Sequence, residues 1–205
     1  MYVGFYEKYL LPKLLNAAMK SPGMSYLRKK QIPLASGKVL EIGIGSGLNI
    51  PLYQKDVQVT GVDPSEELQT YARALAADAD IDVEFIAKGA EDIPVADNTF
   101  DSAVVTWSLC TIPDPMRALS EIRRVLKPEG RLLFVEHGEA PEPEVVKWQK
   151  RVDPIWSVIA GGCHLNRKPD QMIVDAGFRF DEIERRYIEG PKIATFNYRG
   201  IARLI

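Results

Sequence analysis

Residues 38–47 read Lys-Val-Leu-Glu-Ile-Gly-Ile-Gly-Ser-Gly, a short apolar run that stops on three glycines at alternate positions. Such a run, closed by a glycine cluster, predicts a buried strand over Lys38–Ile42 and a tight turn over Gly43–Gly47. Glycines at Gly43, Gly45 and Gly47 let the backbone turn sharply and approach a ligand with no Cβ in the way. The spacing is GxGxG, with Leu48 where the dinucleotide fingerprint wants its last glycine. Glu41 stands two places before the first glycine. A pyrophosphate gains nothing from a carboxylate at its door, whereas a cationic ligand gains directly or through a bridging water.

Downstream of this turn, β-rich runs alternate with helical patterns, which predicts a mostly parallel, doubly wound α/β sheet of seven strands. A short helix is expected through Leu52, then strand Val57–Val62, then an alanine-rich helix Ser65–Ala77 with Ser65 as N-cap. Val83–Ala87 and Phe100–Thr106 read as the third and fourth strands. A helix from Pro115 to Leu126 is closed by Lys127-Pro128-Glu129-Gly130, and Arg131–Glu136 follows as the fifth strand. Helices are expected over Val145–Ile159, where Gly161 and Gly162 break the pattern, and over Pro169–Ala176. Phe178–Ile188 and Ala194–Leu204, joined by Glu189-Gly190-Pro191, predict an antiparallel hairpin at the C-terminal edge of the sheet. With 205 residues and no internal repeat, the chain is expected to form one domain. Its parts would be a helical lid over 1–33, a cofactor-binding core over 37–138 and substrate-side elements over 139–205.

Composition narrows the function classes. The net charge of −2, from 26 basic and 28 acidic residues, leaves no electrostatic footprint for nucleic acid. The two cysteines, Cys110 and Cys163, sit in no CxxC or Cys/His ligand spacing, so neither a disulfide framework nor a metal is expected, and both read as inert small hydrophobes. That usage suits a reducing cytoplasm. At the N-terminus, Glu7, Lys8, Pro12 and Lys13 interrupt the apolar residues, which argues against a secretory signal or a membrane span. Val3, Tyr6, Leu10 and Leu14 recur at near-helical spacing. A helix packed on the body and an amphipathic lid in peripheral contact with a membrane both fit, the second placing Lys13, Lys20, Arg28, Lys29 and Lys30 against anionic headgroups.

Two further features join the glycine turn. Asp63 ends the second strand close to the roughly 20-residue step at which an acidic side chain reaches ribose hydroxyls. Gly89-Ala90-Glu91-Asp92 follows the third strand, a small residue beside an acidic one, which suits an adenine ring with its exocyclic amino group. Together these describe a pocket for a nucleoside with a positively charged tail, at the carboxyl ends of the strands.

From Lys38 to Gly138 the sequence resembles the class I S-adenosylmethionine-dependent methyltransferases: VLEIGIGSG is similar to their first motif, VTGVDPS to the second and GAEDIPVADNTFDSAVV to the adenine-side segment. ALSEIRRVLKPEGRLLFVEHG resembles the helix–turn–strand that follows in the small-molecule branch. TWSLCTIPDP, WQKRVDPIW, GCHLNR and the tail IEGPKIATFNYRGIARLI resemble the methyltransferase-like thiol methyltransferases. The resemblance implies S-adenosylmethionine as cofactor, held by Glu41, Gly43, Gly45, Gly47, Asp63, Ala90, Glu91 and Thr106. It implies a small-molecule acceptor, a thiol first and an ethanolamine phospholipid headgroup second, with a non-catalytic cofactor-binding protein as a third reading. His137, at the end of the fifth strand, is the candidate catalytic group, as proton acceptor or as orienter of the acceptor. Trp107 is the candidate substrate contact, with His164 and Arg167 supplying positive charge that favours a thiolate. Trp148 and Trp156, eight residues apart, read as the core face of a helix. Oligomeric state has no signature in the sequence.

Overall fold

The computed structural model describes residues 16–205; of the lid expected over 1–33, residues 1–15 lie outside the described residues. One seven-stranded sheet has the order β3-β2-β1-β4-β5-β7-β6. Its strands are β1 (Lys38–Ile42), β2 (Gln58–Val62), β3 (Val83–Ile86), β4 (Phe100–Thr106), β5 (Leu126–His137), β6 (Phe178–Tyr187) and β7 (Phe196–Leu204). The first five are parallel, and β7 runs antiparallel between β5 and β6. The expected C-terminal edge hairpin is therefore present, with β7 inserted and β6 outermost.

β1 and β4 carry apolar residues toward both faces because both faces are covered by helices. Leu40, Ile42, Ala103, Val105 and Phe134 pack into a core on one face, against Leu119 and Ile122 of the helix α3 (Pro115–Val125). Val39, Val59, Val104 and Leu133 form the other core with Ile50 and with Ala72 of α2 (Glu66–Ala79). The buried set Ala118, Leu119, Ile122 and Val125 of α3 follows the 3.6-residue period, and Asp114 Oδ1 caps it by accepting from Arg117 N at 3.0 Å. Ser65 caps α2 as expected, its Oγ accepting from Leu68 N at 3.2 Å.

Four expectations shift in detail. The helix expected through Leu52 is only a 3-10 turn, Ile50–Leu52. β5 starts at Leu126, earlier than the expected Arg131, and includes His137 as its last residue. The helix expected from Val145 begins at Pro143, where a proline is pre-organised for the first turn, giving α4 (Pro143–Ile159); α5 is Pro169–Asp175. The hairpin connection holds one additional helical turn, α6 (Lys192–Thr195). Ahead of β1 lies α1 (Pro22–Gln31), and among the described residues no helix is long and apolar enough to cross a membrane.

Order β2-β1-β4 places the point where the chain direction of winding reverses between β1 and β4. Loops leaving the carboxyl ends of these two strands diverge there, which opens a crevice by topology alone.

Candidate active site

A cavity of about 670 Å³ fills that crevice. Gly43, Gly45, Asp63, Ala90, Glu91, Thr106, Trp107 and His137 all line it, as does Glu41. The glycines divide into two roles. Gly45 has φ +51°, and a Cβ added there would meet nothing closer than 3.8 Å, so the glycine keeps the backbone in a left-handed turn beside open cavity. Gly47 has φ +81°, and its Cβ would stand 2.8 Å from Ala72 Cα. Gly47 is absent from the lining: it lets the turn after β1 pack against α2, which corrects its assignment as a ligand contact.

Asp63 is buried, its Oδ2 accepting from Gly45 N at 3.0 Å and its Oδ1 from Ser65 N at 2.8 Å. Burial raises its pKa against those two bonds, which hold the charged form. Gln69 fixes the strand ends beneath it, its Nε2 donating to the carbonyls of Asp63 at 2.8 Å and Ile86 at 3.1 Å. Glu91 lies at the far end of the cavity, where Arg117 Nε donates to its carbonyl at 2.8 Å.

Glu41 is only 1% exposed, and both its oxygens are taken by the protein. Oε1 accepts from Asn49 Nδ2 at 2.8 Å and Oε2 from Tyr53 Oη at 2.7 Å. Asn49 Nδ2 also reaches Thr106 Oγ1 at 3.0 Å, and Asn49 Oδ1 accepts from Arg28 Nε at 3.0 Å. Burial pushes the Glu41 carboxyl up to about 7, against the bonds from Tyr53 and Asn49 and the charge of Arg28. Arg28, read from sequence as a headgroup contact, is 5% exposed and stacks over the Trp107 ring at 4.6 Å. Burial of its guanidinium, partly offset by Glu41, brings it down to about 10. Arg28 therefore belongs to the floor of the cavity; Asn49 is a member of that floor which sequence reasoning missed, and Tyr53 backs it from the core through Glu41.

At the opposite end, Trp107 takes φ +50° as the chain leaves β4, and its Nε1 donates to Asn197 Oδ1 at 2.9 Å. The next turn is clamped by Glu136, whose Oε1 accepts from Ser108 N at 2.7 Å and Leu109 N at 3.0 Å. That clamp presents Cys110 to the cavity. Cys163 arrives from the other side: α4 ends, Gly161 and Gly162 reverse the chain at φ +63° and +90°, and His164 N donates to Cys110 O at 2.8 Å. His137 Nε2 then lies 3.0 Å from Cys163 Sγ, and Trp156 Nε1 lies 3.5 Å from the same sulfur. The hydrogen bond with Cys110 and burial push the Cys163 thiol well above its usual range. Glu136 Oε2 and His137 Nδ1 are shut off from solvent with no hydrogen-bond partner among the described residues.

Three readings from sequence change here. His164 and Arg167 are outside the cavity lining. His164 Nδ1 faces Asp153 Oδ2 at 2.9 Å, and Arg167 Nη1 donates to the carbonyls of Leu109 and of Ile112, the latter at 2.8 Å. The Arg167 charge is spent on holding the 109–112 turn. Trp156 faces the cavity and Trp148 is 56% exposed, so the pair does not mark a core face. Cys110 and Cys163 are not isolated hydrophobes but neighbours of His137.

The wall fits the nucleoside and amino-acid parts of S-adenosylmethionine. A buried carboxylate, Asp63, stands beside the open backbone of Gly45, and the carboxyl group of Glu91 in the same lining suits a ligand that carries positive charge. Glu41, bonded within the protein through both oxygens, anchors Asn49 beneath.

Residues 40–134 match the family described as Methyltransferase domain. Thiol S-methyltransferase TMT1B of Rattus norvegicus is 34% identical over 150 residues, covering 71% of this chain and 62% of the relative. Thiol S-methyltransferase TMT1A of Homo sapiens is 30% identical over 179 residues, covering 85% and 72%. The chain thus spans less than two thirds of the rat relative's length. A crystal structure of a Methanosarcina mazei SAM-dependent methyltransferase shares the fold, with a TM-score of 0.67 at 22% identity over 85% of this chain and 95% of that one. A glycine turn that opens beside a buried Asp63, on a sheet of this order and with these relatives, leads to one assignment. The chain belongs to the class I S-adenosylmethionine-dependent methyltransferases, and S-adenosylmethionine is its cofactor.

Proposed function

We propose that the protein methylates the sulfur of a small, largely apolar thiol. The observation that carries this reading is the acceptor end of the cavity, where Trp107, Trp156, Cys110, His137 and Cys163 surround the space facing the glycine turn. Indole and sulfur are polarisable and suit an apolar body ending in sulfur. The names of the relatives support the same acceptor class.

The cofactor supplies a methyl group already activated on a sulfonium. What remains for the chain is to hold the reactants in near-attack geometry and exclude water. Asp63 and the Gly45 backbone fix one end, with Ala90 and Glu91 beyond. The Arg28–Glu41–Asn49–Tyr53 network keeps the floor rigid beneath Thr106. Trp107 and Trp156 hold the acceptor's apolar part, and its sulfur lies against His137 and the two thiols beside it. A phosphodiester headgroup finds less support. Among the described residues, the Lys and Arg side chains in the lining are Arg28 and Lys88: Arg28 is committed to Asn49 and to Met19 O, and Lys88 stands beside the adenine-side loop, 3.7 Å from Asp92.

A pH–rate profile tests this. With a soluble thiol, the rate should climb as the bound thiol ionises and then level off. The same profile with phosphatidylethanolamine vesicles should show no transfer. Activity confined to the vesicles overturns the thiol reading.

A further inference from the structure

We propose that Cys110, His137 and Cys163 form a site for one thiophilic divalent cation of the zinc type, with its open fourth position facing the acceptor end of the cavity. The three donor atoms lie within 4.8 Å of one another, with His137 Nε2 and Cys163 Sγ 3.0 Å apart. Tetrahedral zinc, with bonds of about 2.3 Å to sulfur and 2.0–2.1 Å to nitrogen, holds its donors roughly 3.5–3.8 Å apart. Closing this set onto a cation therefore needs donor shifts of no more than about 1 Å. Two sulfurs and an imidazole are soft and intermediate donors, which select zinc over magnesium or calcium. Two thiolates with a neutral imidazole also balance a dication, so the buried site carries no net charge once filled.

Each donor is held by a different, well-anchored element. His137 ends β5, Cys110 sits in the turn clamped by Glu136, and Cys163 follows the Gly161–Gly162 reversal tied to Cys110 O. Donors to the sulfurs are also present: Trp156 Nε1 is 3.5 Å from Cys163 Sγ, and Thr111 Oγ1 is 3.5 Å from Cys110 Sγ. Outer hydrogen bonds of this kind orient ligands and temper thiolate charge. Three protein ligands with a fourth position left open is the arrangement of catalytic zinc rather than structural zinc, and all three donors line the cavity.

Filling the site exchanges two S–H bonds for two metal–sulfur bonds and releases two protons to the buffer. A thiol acceptor in the fourth position loses one proton more. Methyl transfer then forms a carbon–sulfur bond at the acceptor and breaks one at the donor sulfonium, whose electron pair returns to the donor sulfur. The cation keeps its oxidation state throughout. This use of the fourth position rests on the thiol reading, whereas the metal site does not.

The test is titration of the reduced, chelator-treated protein with cobalt(II), read by the visible bands of tetrahedral cobalt and the near-ultraviolet thiolate charge-transfer band. One equivalent should bind and be displaced by zinc(II). Cys110→Ser, Cys163→Ser and His137→Asn should each lower the affinity by more than about tenfold while circular dichroism stays that of the parent. Zinc K-edge absorption of the reconstituted parent, which needs no variant, should show two protein sulfur ligands. No stoichiometric cobalt band, a nitrogen–oxygen shell only, or parent-like binding by Cys163→Ser or His137→Asn overturns the site. Adding a thiol then tests the fourth position: a changed cobalt spectrum supports it. An unchanged spectrum with metal bound leaves the site standing and removes its role in holding the acceptor.

Discussion

Replacing Glu41 with Gln should make the protein progressively more stable than the parent as pH rises. Glu41 is 1% exposed, and burial lifts its carboxyl from the usual 4.5 to about 7. A carboxyl whose pKa is raised on folding binds its proton more tightly in the folded state. Its contribution is therefore fully present below about pH 4.5 and lost as pH rises through about 7. Each unit of difference corresponds to about 1.4 kcal/mol, so the full linkage is at most about 3.5 kcal/mol, with about 2–3 kcal/mol falling between pH 5 and pH 8. Gln keeps the shape, can accept from Asn49 and donate to Tyr53, and does not titrate. At roughly 2–4 °C per kcal/mol for a chain of this size, the Tm gap between variant and parent should widen by on the order of 6 °C from pH 5 to pH 8. Arg28, held at about 10, stays charged across that window, and other groups titrate in both proteins and cancel. Scanning calorimetry without ligand at four pH values between 5 and 8 is the assay. A gap that is flat, or that narrows with pH, refutes the reading of Glu41 as a buried, destabilised carboxylate at neutral pH.

Asp63→Ala should weaken S-adenosylmethionine binding by about 1.5–3 kcal/mol, the range for hydrogen bonds to a charged group; calorimetric titration giving parent-like affinity would move the ribose away from this carboxylate. Gly47→Ala combines a left-handed backbone with a Cβ 2.8 Å from Ala72 Cα, and should cost about 2–4 kcal/mol of stability. A thermal melt within 2 °C of the parent, at about 2–4 °C per kcal/mol, contradicts that packing role.

Local signals carried the sheet and the cofactor half of the site. The apolar run at Lys38–Ile42, the glycines after it and the acidic end of β2 are each short-range patterns with a direct structural cause. What escaped the sequence was brought together by topology. Cys110 and Cys163 are far apart in the chain, and metal-ligand rules look for close spacing, so only the crossing of the β4 and α4 loops makes them neighbours of His137. Arg28 reads as one basic residue among Arg28, Lys29 and Lys30, yet it alone turns inward, because Asn49, Glu41 and the Trp107 ring offer it partners. His164 and Arg167 were misplaced for the opposite reason. Their charges suggested a ligand, but Asp153 and the carbonyls of the 109–112 turn are nearer and satisfy them.

One measurement reaches the proposed activity directly: the fate of a labelled methyl group. Purified protein, S-adenosylmethionine carrying a carbon-13 methyl, and an equimolar mixture of a small apolar thiol and phosphatidylethanolamine vesicles are incubated together, and the products are resolved by mass spectrometry. The label should appear in the methyl thioether, one per acceptor, with loss of signal in His137→Asn at unchanged cofactor affinity. Label in the lipid amine with none on sulfur, or equal transfer by His137→Asn, would contradict an acceptor site built from His137 and its two cysteine neighbours.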